Sequence, residues 1–139
     1  MREMVKLPIS TIMTRKVITV GVNDDLNKAC SLFREKKIRH LPVLKGERLV
    51  GVLSYNAVIR LSFCEVYDDK KDIDNTIFKL LKLNQVMVDD PIKVKPDDSI
   101  KKVAKILIKN KFHALPVVEH RKLVGIVSTT DLLRYLIAN

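Results

Sequence analysis

Arg39-His40-Leu41-Pro42-Val43-Leu44, a turn at Lys45-Gly46-Glu47, and Leu49-Val50-Gly51-Val52-Leu53-Ser54 form the stretch that decides the fold. The same phrase returns 74 positions later as His113-Ala114-Leu115-Pro116-Val117-Val118, Glu119-His120-Arg121 and Leu123-Val124-Gly125-Ile126-Val127-Ser128. Two nearly continuous Leu/Val/Ile runs joined by a short polar turn predict a β-hairpin with both faces covered. The shift extends without a gap on both sides of the hairpin: residues 13–61 against 87–135 share fourteen identities in forty-nine pairs, where chance supplies about three. The chain is an internal duplication.

Working outward, each hairpin is preceded by an alternating strand (Val17-Ile18-Thr19-Val20; Ile92-Lys93-Val94) and by an acidic residue, Asp24 or Asp98, placed to open a helix. Leu26, Ala29, Cys30 and Phe33, matched by Ile100, Val103, Ala104 and Leu107, repeat at i, i+3, i+4 and i+7, the stripe of one buried helix face. A second helix follows Ser54 or Ser128. Each copy therefore reads β-α-β-β-α. Pro42 and Pro116 lack an amide donor, which places their nitrogens at a sheet edge or opening where a ligand can approach the backbone. Between the copies, the polar break Asp68-Asp69-Lys70-Lys71-Asp72 is followed by Ile77, Leu80, Leu81 and Leu83, the pattern of a short connecting helix. The expected organisation is a first repeat over 8–62, a linker over 63–82 and a second repeat over 83–139. The fold class is α/β, with the two repeats packed about a pseudo-two-fold axis and sharing one core, because neither half is long enough to bury its own.

The bulk properties narrow the function. The 139 residues are 47% hydrophobic and 30% charged, with no Trp, the make-up of a soluble α/β protein. No apolar run reaches the roughly 20 residues of a membrane span, and Met1-Arg2-Glu3-Met4-Val5-Lys6 lacks the apolar core of a signal peptide, so a cytoplasmic location and no membrane partner are expected. Cys30 and Cys64 make no CxxC motif, and Cys30 falls on an apolar helix face as a small hydrophobe. The formal charge of +10 suits a phosphorylated or other anionic partner, or scattered solvated lysines. Nucleic acid is the alternative partner it raises, although no groove-entering helix motif or aromatic stacking platform accompanies it. No glycine-rich phosphate loop, nucleophile with a nearby base or metal-ligand cluster is present, so the chain reads as no enzyme, with no catalytic residue, no metal and no resident cofactor.

Met13-Thr14, Arg39-His40-Leu41-Pro42-Val43 and Leu49-Val50-Gly51-Val52-Leu53-Ser54, together with His113-Ala114-Leu115-Pro116-Val117 and Leu123-Val124-Gly125-Ile126-Val127-Ser128-Thr129-Thr130-Asp131, resemble the cystathionine-β-synthase (CBS) domain family over nearly the whole chain. The resemblance implies a regulatory sensor of cellular energy or metabolites that takes an adenosine-containing ligand (AMP, ADP, ATP or S-adenosylmethionine) between the repeats. It also implies a homodimer and a regulated protein partner. It carries the ribose-binding Asp onto Asp131, places Ser128 and Thr129 near the phosphate, and sets His113, Ala114, Leu115 and Pro116 along the nucleotide, with Thr11, Met13 and Ile18 closing around the base. The pseudo-equivalent second cleft falls to Arg39, His40, Ser54, Met87 and Ile92, and is weaker because Ala57 stands where the carboxylate belongs.

Residue chemistry leaves alternatives beside the resemblance. A carboxylate is an acceptor-only group suited to a vicinal diol, yet Ser128-x-x-Asp131 is equally a capping box. His113 is a phosphate contact or a strand histidine. Asp24, Asp25, Asp97 and Asp98 read as helix caps. Ile106, Leu107 and Ile108, with Leu132, Leu133, Tyr135 and Leu136, carry more apolar arc than one internal face needs, which is the residue-level ground for a homodimer.

Overall fold

The computed structural model describes residues 2–65 and 81–139. The chain divides into two compact bodies, Ile18–Pro91 on one side and Met1–Val17 with Ile92–Asn139 on the other. The bodies do not coincide with the sequence repeats. Each repeat lends its leading segment to the body that holds the other repeat's helices and hairpin.

The first body contains β1 (Val20–Gly21), α1 (Leu26–Lys36), β2 (His40–Lys45), β3 (Arg48–Ser54), α2 (Tyr55–Glu65), α3 (Leu83–Val86) and β4 (Val88–Asp89). β1 runs parallel to β2, while β2 and β3 form the antiparallel hairpin and β4 adds to β3 through Gly51↔Asp89 and Val52↔Val88. The second body contains α4 (Ile100–Asn110), β5 (Ala114–Glu119), β6 (Lys122–Ser128) and α5 (Thr129–Ala138). Its hairpin keeps the register of the first, from Ala114↔Ser128 to Glu119↔Lys122, with the same irregularity one turn from the tip, at Val117/Val118 as at Val43/Leu44. The two outer strands of the first body are reduced here to single bridges, Val94 on Val117 and Thr14 on Ile126.

The leading strands are shorter than their sequence pattern predicts, and proline supplies the reason. Val94 N–H donates to the Pro116 carbonyl at 3.0 Å and Val118 N–H returns to the Val94 carbonyl at 2.8 Å. Residues 116 and 118 thus direct their backbone groups toward the 92–94 segment, and Pro116 has no N–H to carry the ladder back toward Ile92. Pro42 limits β1 in the same way: pairing begins only at Val20↔Val43. The four-residue strand Val17–Val20 contracts accordingly to Val20–Gly21.

The helix openings are also corrected by one residue. Asp25 and Ser99, and not Asp24 and Asp98, are the N-caps, accepting from Lys28 N at 2.9 Å and Lys102 N at 3.1 Å. Asp24 and Asp98 sit one position early and close the preceding turn instead, accepting from Gly21 N at 2.7 Å and Lys95 N at 2.8 Å. Each also pairs with a lysine one helical turn on, Lys28 or Lys102, at 3.0 Å. The Gly21 N–H and then Lys28 hold the Asp24 carboxyl below its ordinary value. At Asp98 partial burial pushes upward, but the Lys95 N–H and the Lys102 ammonium outweigh it and the carboxyl is again lowered. Both helices end on a left-handed lysine, Lys37 (φ 54°) and Lys111 (φ 56°).

Each body has its own cluster of buried side chains, which corrects the expectation of one shared core. Val20, Leu26, Ala29, Phe33, Leu41, Val43, Leu53 and Leu83 form one. Val94, Ile100, Val103, Leu107, Leu115, Val117, Val127 and Ile9 form the other, each 74 positions from its counterpart. Val58 also belongs to the first cluster and Met13 to the second, with only partly buried counterparts in Leu132 and Met87. The exchanged segments complete the clusters: Ile9 and Leu83 are both fully buried. The helical stripe is buried as its periodicity predicts, except that Cys30 and its counterpart Ala104 are only half-buried; at Cys30 the burial is enough to push the thiol up.

The linker helix expected over Ile77, Leu80 and Leu81 lies mostly outside the described residues. Where description resumes, Leu81 and Lys82 are not helical and α3 begins at Leu83. Among the described residues, no helix is long and apolar enough to cross a membrane.

Candidate functional site

In the second body the strand-to-helix junction after β6 brings several of the expected residues together. Ser128 is extended (φ −118°, ψ 163°) and caps α5. Its Oγ accepts from Asp131 N at 3.1 Å while Asp131 Oδ2 accepts from Ser128 N at 2.9 Å, a reciprocal capping box. That arrangement occupies one carboxylate oxygen. The other, Oδ1, accepts from Thr14 Oγ1 at 3.4 Å. A carboxylate has about four acceptor positions, so these two contacts leave Asp131, which is partly exposed, with capacity for a ligand hydroxyl.

The junction is fastened to the hairpin from the other side. Thr129 N–H donates to the His113 carbonyl at 2.9 Å, and Thr129 Oγ1 to the same oxygen at 3.4 Å. His113 precedes β5 and its side chain is exposed, not half-buried in a strand. Leu115 and Pro116 are buried, Leu115 within the core, so neither side chain is open to a ligand. Thr11 ends a short 3₁₀ turn, Ile9–Thr11, and is exposed. Met13 is 8% exposed and lies against Gly125. Ile18 belongs to the first body, packed against its core.

The equivalent junction of the first body keeps the cap and loses the carboxylate. Ser54 Oγ accepts from Ala57 N at 3.1 Å, and Tyr55 N–H donates to the Arg39 carbonyl at 2.8 Å, matching Thr129 and His113. The Arg39 guanidinium stands 5.0 Å over the Tyr55 ring, which meets Phe33 edge-on at 5.6 Å. Tyr55 is thus engaged on its face by a cation. His40 is half-buried in β2 opposite Ser54, and Met87 is partly buried against the first core. Ile92, expected beside these, falls in the other body and is 42% exposed.

Thr14 was not among the expected site residues, although the sequence carries a signal for it. Shifted by 74 positions, Thr14 becomes Val88 and Asp131 becomes Ala57, so the hydroxyl and the carboxylate are lost together.

A groove of about 440 Å³ lies between α4 and α5, its apolar lining from Ala104, Leu107, Ile108, Phe112, Leu132 and Leu133 joined by Lys111, His113 and Thr129. Asp131 is not part of it. Leu107 turns into the core, and Ile106, Leu132 and Tyr135 pack against it, so the surplus apolar surface comes from Ile108 (77% exposed), Leu133 (54%), Leu136 (47%) and Ile137 (85%). Among the described residues, no group of three or more His, Cys, Asp or Glu is placed to hold a metal ion.

The profile of the CBS domain matches residues 9–63 and 83–138. The chain is 30% identical to the uncharacterized protein MJ1426 of Methanocaldococcus jannaschii, over 88% of this chain and 88% of that one. It is 31% identical to the uncharacterized protein MJ1225 of the same organism, over 93% of this chain but only 42% of the relative. The chain thus spans about two fifths of MJ1225. Among solved structures it resembles CBSX2 in complex with AMP, with a TM-score of 0.79 and 26% identity over 95% of this chain and 97% of that one. With both repeats matched and a helix, a β-hairpin and a second helix in the same order in each, the chain belongs to the CBS domain family as a tandem pair.

Proposed function

We propose that this CBS pair is a non-catalytic regulatory module that binds an adenosine-containing ligand at the second-repeat junction, with Asp131 accepting hydrogen bonds from the ribose hydroxyls. The observation that carries the reading is the Asp131 carboxylate: partly exposed, held by its cap, and with acceptor positions to spare. Ser128 and Thr129 open α5, whose first backbone N–H groups favour a phosphate. The likeness to CBSX2, a protein crystallised with AMP, supports the ligand class. The first-repeat junction, with Ala57 in place of the carboxylate, is the weaker site. Occupancy acts by favouring one arrangement of the chain, and so one mode of docking to a regulated protein.

The same reading makes the chain a homodimer. Ile108, Leu133, Leu136 and Ile137 supply an apolar face on α4 and α5 that a second copy covers. Calorimetric titration with AMP, ATP and S-adenosylmethionine, with GMP as control, tests the ligand. Saturable binding of at least one adenosine compound at one site per chain is expected, and no binding of any of them defeats the reading. Sedimentation at tens of micromolar tests the assembly, with Leu133→Glu expected to shift a dimer to monomer.

A further inference from the structure

We infer that Thr14 is a positioning residue for the Asp131 carboxylate and thereby sets the preference for a ribose over a deoxyribose ligand. This rests on the nucleotide reading above and adds to it a residue that acts through Asp131.

The backbone of Thr14 is fixed independently of its side chain. Its N–H donates to the Ile126 carbonyl at 2.8 Å and its carbonyl accepts from Ile126 N at 3.0 Å. Met13, next to it, packs its sulfur against Gly125. A β-branched side chain on a fixed backbone has few χ1 choices, so the hydroxyl is presented to Asp131 from a rigid origin. Asp131 is pinned at Oδ2 by Ser128 N, but one contact leaves the carboxylate plane free to turn. The Thr14 hydroxyl, 3.4 Å from Oδ1, gives it a second and longer point of attachment. The direction of the remaining Oδ1 acceptor position is then set before a ligand arrives, and Oδ1 can accept a ribose hydroxyl alongside the Thr14 hydroxyl.

The first body acts as an internal control. Val88 stands where Thr14 would be and makes the equivalent strand pairing, Val88↔Val52 for Thr14↔Ile126. A valine is therefore sufficient for the strand contact, and the hydroxyl is superfluous to the fold. Ala57 stands opposite, where the carboxylate would be, under a cap from Ser54 like that of Ser128. The two polar groups are absent together from a frame that is otherwise kept, which ties the hydroxyl to the carboxylate and not to the hairpin.

The experiment compares the full chain with Thr14→Val, Thr14→Ser and Asp131→Ala, titrating each with AMP and 2′-deoxy-AMP and checking folding by thermal unfolding. Thr14→Val is expected to unfold at the parent temperature, bind AMP about threefold to tenfold more weakly, and lose most of the parent's preference for AMP over 2′-deoxy-AMP. Thr14→Ser should restore most of both, short of the parent because serine lacks the β-branch that limits χ1. The graft is the second arm: in an Asp131→Ala background, Ala57→Asp with Val88→Thr should create an AMP site stronger than Ala57→Asp alone. Unchanged AMP affinity and selectivity in Thr14→Val overturn the inference and leave the nucleotide reading standing, as does a single Ala57→Asp graft that equals the double. A parent chain that binds neither nucleotide overturns the reading and the inference together.

Discussion

A Cβ built on Gly125 would lie 2.6 Å from the sulfur of Met13 and 3.0 Å from the Thr14 carbonyl, although the two segments are more than a hundred residues apart in sequence. Gly51 stands in the same relation to Met87, at 2.5 Å, and to the Val88 carbonyl, at 2.9 Å. The glycines of the two hairpins therefore admit the leading segment of the opposite repeat. The Met sulfur can swing aside, but the carbonyl belongs to a paired backbone and cannot. Gly125→Ala and Gly51→Ala are each expected to destabilise the chain by about 1–3 kcal/mol through overpacking. Met13→Ala combined with Gly125→Ala should cost less than the sum of the two in denaturant unfolding. Strict additivity would contradict the contact.

Asp131→Ala removes two things at once, which separate by measurement. Loss of the reciprocal cap should cost about 1 kcal/mol of stability. Loss of hydrogen bonds to a diol should cost on the order of a hundredfold in affinity for AMP. Ser128→Ala is the companion variant, with a similar stability loss and a smaller binding loss because the carboxylate remains. If both variants lose affinity in proportion to stability alone, Asp131 is a cap and no more.

The hairpin tip of the second repeat is strained. His120 (φ 52°) and Arg121 (φ 68°) both occupy the left-handed region, whereas the first repeat has Gly46 (φ 65°) at the tip. A two-residue tip with both φ values positive prefers Asn-Gly. Replacing His120-Arg121 with Asn-Gly is expected to raise stability by about 0.5–1 kcal/mol, seen as a higher unfolding midpoint with no change in AMP binding.

Asp24 and Asp98 make stability depend on pH in a defined direction. Their carboxyls are lowered from the ordinary 3.8 in the folded chain. The stabilisation is therefore fully present above that value and declines as pH falls through the folded value, below 3.8. Because both groups are partly solvated, Asp98→Ala should cost only about 1 kcal/mol at neutral pH. The difference between parent and variant should shrink to near zero in urea titrations at about pH 2. A difference that persists there would assign the effect to packing.

Much of this protein was legible from its residues alone. The 74-residue repeat follows from setting the sequence against itself, the hairpins from apolar runs joined by a polar turn, and the helical stripes from a period of 3.6, which reports the buried side of a helix without reference to anything distant. The missing carboxylate at Ala57 was equally plain by superposing the copies. Local reading placed the helix starts one residue early, because Asp24 and Asp98 have the right chemistry for a cap but spend it on the Gly21 and Lys95 amides. What only the tertiary structure decided was the exchange of leading segments. Ile9 fills one core with residues 92–139, and Leu83 fills the other with residues 18–91. The contact of Thr14 with Asp131 follows from that exchange. Side-chain periodicity fixes which face of a segment is buried, but it holds no information on which of two similarly patterned partners buries it. That choice is made by the path the chain takes between them.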